Sequence, residues 1–505
     1  MSRNSVLLFL SLLVIFLVGL IHLSYPFYGD EAFFLLGARE LNDGAVLYID
    51  FWDIKQPGIF YFYFFAGELF GFNEIGIHLF ELMNWLIFSI ALIWFLNRYI
   101  FLESFLFSCY SAVLLVVTYY IFAGAGKLTQ VEALVNMPLL GVVIFNTLFL
   151  KELKYSWLWL FLSGIFGGIV LFYKLIFLPI ICVLWLVTYI RRINKPSEIL
   201  PQFFLFLLIP FGVIIFWLPF LLISWQKDML SLVYTTFFVI PPEVVKHFGH
   251  KPIQHLLDAI LNFFPRVFIY LFLSIWCVVK YYKSPFVRDM LLWFLTAFFV
   301  VIIQLTSWVG YQFQLLYTPI IMLSSFLLYK LDTKYLKNSF SFLRIIKIEY
   351  MKATILIIIN LPLLLILFYK LSVLEKYNFA IRENDRKSYI LENTDNLKAF
   401  KNVQPILPLD GVKGDIFVAG DPLIYHYSDR LQATAYNGWG FEFYYPEQWS
   451  ILFSQLQSSR PIFIYMDRYN DPFFIENGKQ ILNWINLEYI LFSSNENGRW
   501  FKLKQ

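Results

Sequence analysis

Asp30-Glu31 follows directly on the first long apolar run of the sequence, Val6–Leu23. A carboxylate at such an edge between lipid and water is partly desolvated, holds its proton more readily, and can serve as a general base toward a hydroxyl nucleophile. The position suits a structural role equally well. An acid there complements the N-terminal dipole of a helix opening at Ala32, and Asp30 can cap that helix.

A second group lies in Leu47–Gly58, where Asp50, Asp53 and Lys55 sit in an otherwise aromatic stretch closed by Pro57-Gly58. Polar groups in so apolar a setting need partners. A phosphate for Lys55 is one candidate, and a surface pair between Asp53 and Lys55 is the other. Lys127 and Glu132 flank the junction of two later apolar runs, and Lys174 falls in the tight turn of another pair. Isolated lysines of this kind can simply snorkel, but cations and acids converging on one membrane face also match a lipid phosphate headgroup. His247 and His250 are spaced i, i+3 without a firm third ligand, so metal ligation by them or by Glu132 competes with a solvated loop. Gly414–Gly420 lacks the glycine and lysine pattern of a phosphate loop.

The elements that must position these residues are membrane spans. Of the 505 residues 59% are hydrophobic and 15% charged, and the mean hydropathy is +0.66. That balance excludes an ordinary soluble domain. The net charge of +4 gives no case for nucleic acid, and the three cysteines lie in apolar runs without metal-ligand spacing. A window of about 19 residues gives about eleven spans: Val6–Leu23, Ile75–Leu96, Phe101–Phe122, Val131–Leu150, Trp157–Tyr173, Leu175–Ile190, Phe203–Ile223, Phe264–Val279, Met290–Thr306, Tyr311–Tyr329 and Ala353–Phe368. The first is read as an uncleaved span, because no small-x-small site precedes Tyr25-Pro26-Phe27-Tyr28. With a cytoplasmic N-terminus, the inner connections collect Arg98, Lys151, Lys154, Arg191, Arg192, Lys195, Lys280, Lys283, Arg288, Lys330, Lys334, Lys337, Arg344, Lys347 and Lys352, as the positive-inside rule requires.

Residues 1–370 are therefore expected to form the transmembrane part, with outer connections at 24–74 and 225–263. The first connection carries an apolar face of Phe33, Phe34, Gly37, Ala38 and Leu41 and the aromatic stretch Gly58–Phe72, which predicts two short interfacial helices. The second contains Pro241-Pro242 and His247, His250 and His255. From 371 to 505 the composition becomes that of a soluble α/β domain on the outer side, with strands at Gly414–Gly420, Pro461–Met466, Glu488–Phe492 and Arg499–Lys504.

A first span, then Asp30-Glu31-Ala32, then Tyr48-x-Asp50-x-x-Asp53-x-Lys55-x-Pro57-Gly58 resembles the bacterial membrane glycosyltransferases of the GT-C fold, the group of the protein O-mannosyltransferases and the lipid A aminoarabinose transferase. Weaker echoes are Lys174, Tyr311–Pro319 and Asp421–Tyr436. Relatives often carry adjacent prolines after the lysine and a His-Tyr pair ahead of the late proline; this chain has Gln56-Pro57 and Gln312-Phe313.

The resemblance implies an enzyme of the bacterial plasma membrane that moves a sugar from a polyprenyl-phosphate donor to a hydroxyl of a glycolipid, polysaccharide or protein on the outer face. It implies Asp30 as base, Glu31 and Asp53 orienting the acceptor or a divalent ion, and Lys55 and Lys174 on the carrier phosphate. Lys127, Glu132 and Tyr311 would line the substrate site. Such chemistry needs one base and cations for the departing phosphate, but no general acid.

A transporter or lipid-linked sugar flippase is the main rival class. Transporters commonly show repeated halves and mid-membrane ionisable groups. No repeat is visible here, and most candidate polar groups cluster at the outer edge, with Glu81, just inside the second span, a partial exception. A receptor with the outer domain as binding module is a second rival, for which that domain carries no evident motif.

Overall fold

The computed structural model describes residues 2–102, 104–123, 127–152, 154–304, 308–331, 359–361, 363–368, 394–407 and 414–504. Among them ten helices are long and apolar enough to cross a membrane, and they correspond to the first ten expected spans. A helix of 18 residues, the shortest of the ten, reaches about 27 Å, close to the thickness of the hydrocarbon layer. Of the eleventh expected span, Ala353–Phe368, residues 359–361 and 363–368 are described and helical, and the rest lies outside the described residues. So do Lys334, Lys337, Arg344, Lys347, Lys352 and the boundary near residue 371.

The chain divides into two compact units, one of Met1–His22, Glu81–Leu218 and Lys251–Glu375, the other of Leu23–Phe80, Pro219–His250 and Lys376–Gln505. In the first unit, Gly310–Lys330 and Val131–Lys151 are central helices, 94% and 83% buried over their apolar windows, whereas Pro196–Gln226 is 17% buried and presents its side chains outward. Lipid is as apolar as leucine, so packing between spans relies on small residues and on hydrogen bonds. Gly164 faces the Ile209 carbonyl and Gly212 the Phe161 carbonyl, both closely enough that a Cβ would collide with backbone. Asn136 donates to the Gln314 carbonyl at 3.1 Å and accepts from the Thr318 hydroxyl at 2.8 Å, tying two central helices together.

In the second unit the two expected short helices form at Gly29–Asn42 and Gly58–Phe70. The first is buried on nearly all sides from Glu31 to Ala38, not on one face only, because Phe33, Phe34, Phe51, Phe60 and Tyr63 pack around it. Gly37 is the contact point: a Cβ there would meet the rings of Phe51 and Phe60 at 2.8 and 2.7 Å. The expected loop from Trp225 to Phe263 is instead mostly helical, with helices at Leu230–Tyr234, Ile240–Phe248 and Ile253–Phe263 and a π-helical turn at Thr235–Val239. Pro241-Pro242 opens the second of these, where missing N–H groups cost nothing.

The four expected strands form one sheet in the order β1-β2-β4-β3, with β1 Ile416–Ala419, β2 Phe463–Asp467, β3 Tyr489–Ser494 and β4 Gly498–Leu503. β1 and β2 are parallel, which requires the Pro446–Ser459 helix as crossover; β4 is antiparallel to β2 and β3. The segment after β1 reaches the first connection of the chain. Ala435 O accepts from Trp52 N at 2.9 Å, Asn437 donates to Trp52 O at 3.1 Å, and Tyr436 stacks on Trp52 at 4.4 Å.

Candidate active site

Asp30 and Glu31 both lie in the first turn of Gly29–Asn42, with Tyr28 as the N-cap. The capping expected of Asp30 is performed by Glu31, whose Oε2 accepts from Tyr28 N at 3.1 Å. Only the third helical residue can fold back onto the cap amide, and that residue is Glu31. The Asp30 side chain is thereby left for other contacts. Lys55 Nζ stands 3.7 Å from its Oδ1, and the indole N–H of Trp439 donates to the same oxygen at 3.4 Å.

Lys55 also stands 3.2 Å from Asp53 Oδ2 and lies over the rings of Phe33 and Phe34 at 5.5 and 5.3 Å. Its backbone is pinned by Tyr48, whose hydroxyl donates to Lys55 O at 2.8 Å and whose own φ of 77° is a strained left-handed turn. Asp53 and Lys55 are indeed a pair, but not a surface one. Asp53 is buried, its Oδ1 accepts from Ile54 N at 2.7 Å, and burial pushes its carboxyl above the usual range while Lys55 opposes the shift. Asp30 is the more open carboxylate, 27% exposed against 11% for Asp53. The cluster therefore contains one accessible acid and one buried acid, with a cation between them.

The first unit holds a separate polar group. Lys174 ends the Ser156–Tyr173 helix in extended backbone, as expected of a tight turn, and its Nζ is 2.8 Å from both Glu132 Oε1 and Gln304 Oε1. Gln312 donates to Gln304 at 3.3 Å, and Phe313 packs against Phe263 and Phe264. Lys127 and Tyr311 line another cleft, with Arg266, Asn262 and Gln314. Glu81 is buried and accepts from the Tyr119 hydroxyl and from Thr129 N.

His247 lies 3.6 Å from Glu243 and stacks on Tyr445. Glu132 is taken up by Lys174. No group of three or more His, Cys, Asp or Glu residues disposed as metal ligands occurs among the described residues, so neither His247, His250 nor Glu132 gains a ligand set.

The structure thus brings Asp30, Asp53 and Lys55 together in one unit, and in the other it pairs Glu132 with Lys174 and joins Lys127 to Tyr311. Residues not singled out from the sequence are Trp439, Gln304 and Arg266. Arg266 had a signal available, since a lone cation inside an apolar run calls for a partner or a function. Gln304 and Trp439 had none in their local sequence.

This arrangement of spans, short helices and small sheet is the GT-C fold. The chain superposes on the crystal structure of ArnT from Cupriavidus metallidurans in the apo state with a TM-score of 0.62 at 11% identity, over 99% of this chain and 98% of that one. With the ArnT structure bound to undecaprenyl phosphate the TM-score is 0.58 at 12% identity, with the same coverage. The sequence matches no family model and no curated protein.

Proposed function

We propose that this protein is a membrane glycosyltransferase that moves a sugar from a polyprenyl-phosphate carrier to an acceptor hydroxyl at the outer face of the bacterial plasma membrane. The observation that carries this reading is the Asp30–Lys55–Asp53 cluster: an accessible carboxylate whose orientation is fixed by a lysine and an indole, in a fold shared end to end with an undecaprenyl phosphate-binding protein.

In the reaction, Asp30 takes the proton of the acceptor hydroxyl as its oxygen attacks the anomeric carbon. The bond from that carbon to the phosphate oxygen breaks, its electron pair leaves with the polyprenyl phosphate, and the configuration inverts. Lys55 holds Asp30 in place and its charge favours the departing phosphate; Asp53, too buried to reach a substrate freely, fixes Lys55. Glu31 acts through the helix start. Lys174 and Glu132 neutralise each other, so their part is to position the loops around them. The transferred group is a hexose or pentose, and the acceptor a glycolipid, polysaccharide or protein.

Asp30→Asn, assayed in membranes with a polyprenyl-phosphate sugar, is expected to lose at least 100-fold in transfer, on the order of a missing general base. Full activity would overturn the assignment. A counterflow assay in which labelled substrate crosses the bilayer with no glycosidic bond formed would replace the enzyme by a flippase.

A further inference from the structure

Lys127 and Arg266 line one narrow cleft in the first unit, with Asn262, Tyr311 and Gln314 as polar neighbours and Phe122, Phe263 and Tyr317 as walls. Their setting differs from that of the lysines at the candidate site and of Arg191. Lys55 has Asp30 and Asp53, Lys174 has Glu132, and Arg191 has Asp289. Among the described residues neither Lys127 nor Arg266 has a carboxylate partner. Arg266 spends one donor on the Phe122 carbonyl at 3.1 Å, and the Lys127 carbonyl accepts from Gln314 Nε2 at 3.0 Å, so both residues are anchored by backbone while their charge stays uncompensated.

Two like charges between aromatic walls are unfavourable in low dielectric, and each weakens the other. Burial, followed by the nearby Arg266, lowers the Lys127 pKa. An anion held by both would offset that repulsion. Gln314 adds a second observation. Its Oε1 is buried without a hydrogen-bond partner among the described residues, which leaves an acceptor for a hydroxyl on whatever enters. The span Phe105–Ala123 finishes at this end, the helix Phe268–Tyr281 starts two residues after Arg266, and the span Gly310–Lys330 begins here. Lys280 and Lys330 mark the opposite ends of the latter two. The cleft therefore lies at a membrane boundary, at the depth of lipid phosphates.

We propose that Lys127 and Arg266 form a binding site for a phosphoryl group, with Gln314 accepting from a neighbouring hydroxyl of the same ligand. The guanidinium gives planar donors and the ammonium a point charge, a combination suited to a tetrahedral oxyanion. The proposal rests on the glycosyltransferase reading only for the expectation that the phosphate belongs to a lipid, the carrier or a phosphorylated acceptor. Free phosphate has the same chemistry.

The test measures equilibrium binding to the full-length protein in phosphate-free detergent, with undecaprenyl phosphate, undecaprenol and inorganic phosphate as probes. Lys127→Gln and Arg266→Gln are each expected to weaken undecaprenyl phosphate about tenfold, the value of a charge-assisted hydrogen bond, with Lys127→Arg recovering most of it. Undecaprenol binding should be indifferent to all three. If inorganic phosphate alone shows the Lys127 dependence, the phosphoryl site stands and its source is free phosphate. Unchanged binding of both phosphates in Lys127→Gln overturns the site, as does equal sensitivity of undecaprenol. Because no transfer is measured, the two readings separate. Phosphate binding through Lys127 in a protein that transfers no sugar would leave this site and remove the enzyme, whereas Lys127-independent binding with Asp30-dependent transfer would do the reverse.

Discussion

Lys174 Nζ lies 2.8 Å from Glu132 Oε1, and the Glu132 side chain is 3% exposed. A buried pair adds little net stability, but removing one partner strands the other charge. Lys174→Ala is expected to lower stability by about 3 kcal/mol, seen as a lower melting temperature of the purified protein. Lys174→Met combined with Glu132→Met should recover most of the loss. A single variant that melts normally but binds donor poorly would mean that Lys174 contacts ligand directly.

Trp439 holds Asp30 through one hydrogen bond, and Gly29 makes room for the indole: a Cβ at Gly29 would fall 2.6 Å from Trp439 Cζ2. Trp439→Phe keeps the ring and loses the donor, so kcat should drop roughly threefold with little change in melting temperature, as for a partly solvated hydrogen bond. Gly29→Ala, which must displace the indole, should cost at least as much. Unaltered kcat in both would remove Trp439 from the positioning of Asp30.

Glu40 is buried in the second unit, where its Oε1 accepts from Gln432 N at 2.9 Å. Burial, with Asp415 and Asp43 adding to it, pushes its carboxyl up from 4.5 to about 7, against the pull of the Gln432 amide and Arg39. The folded chain then holds a proton that the unfolded chain releases. Its contribution is full below pH 4.5 and is lost as pH rises through about 7. Glu40→Gln keeps the acceptor and removes the charge, so it should stabilise the protein at pH 8, by up to about 3 kcal/mol, and flatten the melting temperature between these pH values. A variant that follows the parent's pH profile would place the titration elsewhere.

Gly164 and Gly212 let two spans touch backbone to backbone at Ile209 and Phe161. Gly164→Val or Gly212→Val should push them apart and cost about 1–3 kcal/mol each, read by thermal unfolding in detergent. Both together should cost less than their sum, because one separation relieves both collisions.

Ten spans, two short helices and four strands were legible in the sequence because each follows from a local rule: a run of apolar residues long enough for the bilayer, an aromatic face at helical spacing, an alternating segment between turns. The helical fill of Trp225–Phe263 was not legible, since Pro241-Pro242 reads as a break unless its place in a first turn is known. Asp30-Glu31 could be located as an acidic pair at the end of a span, yet which acid capped and which stayed open depended on the helix beginning at Gly29 and not at Ala32.

What the sequence by itself determined is therefore the set of membrane helices and the edges at which charge is tolerated, since both depend on the cost of transferring successive side chains into lipid. Only the tertiary structure decided which charges are spent and which are available. Lys174 meets Glu132 across 42 residues and Gln304 across 130, Asp30 meets Trp439 across 409, and Lys127 and Arg266 share a cleft with no acid among its described residues. Electrostatic pairing acts through space over a few ångströms, so no local stretch of sequence encodes it.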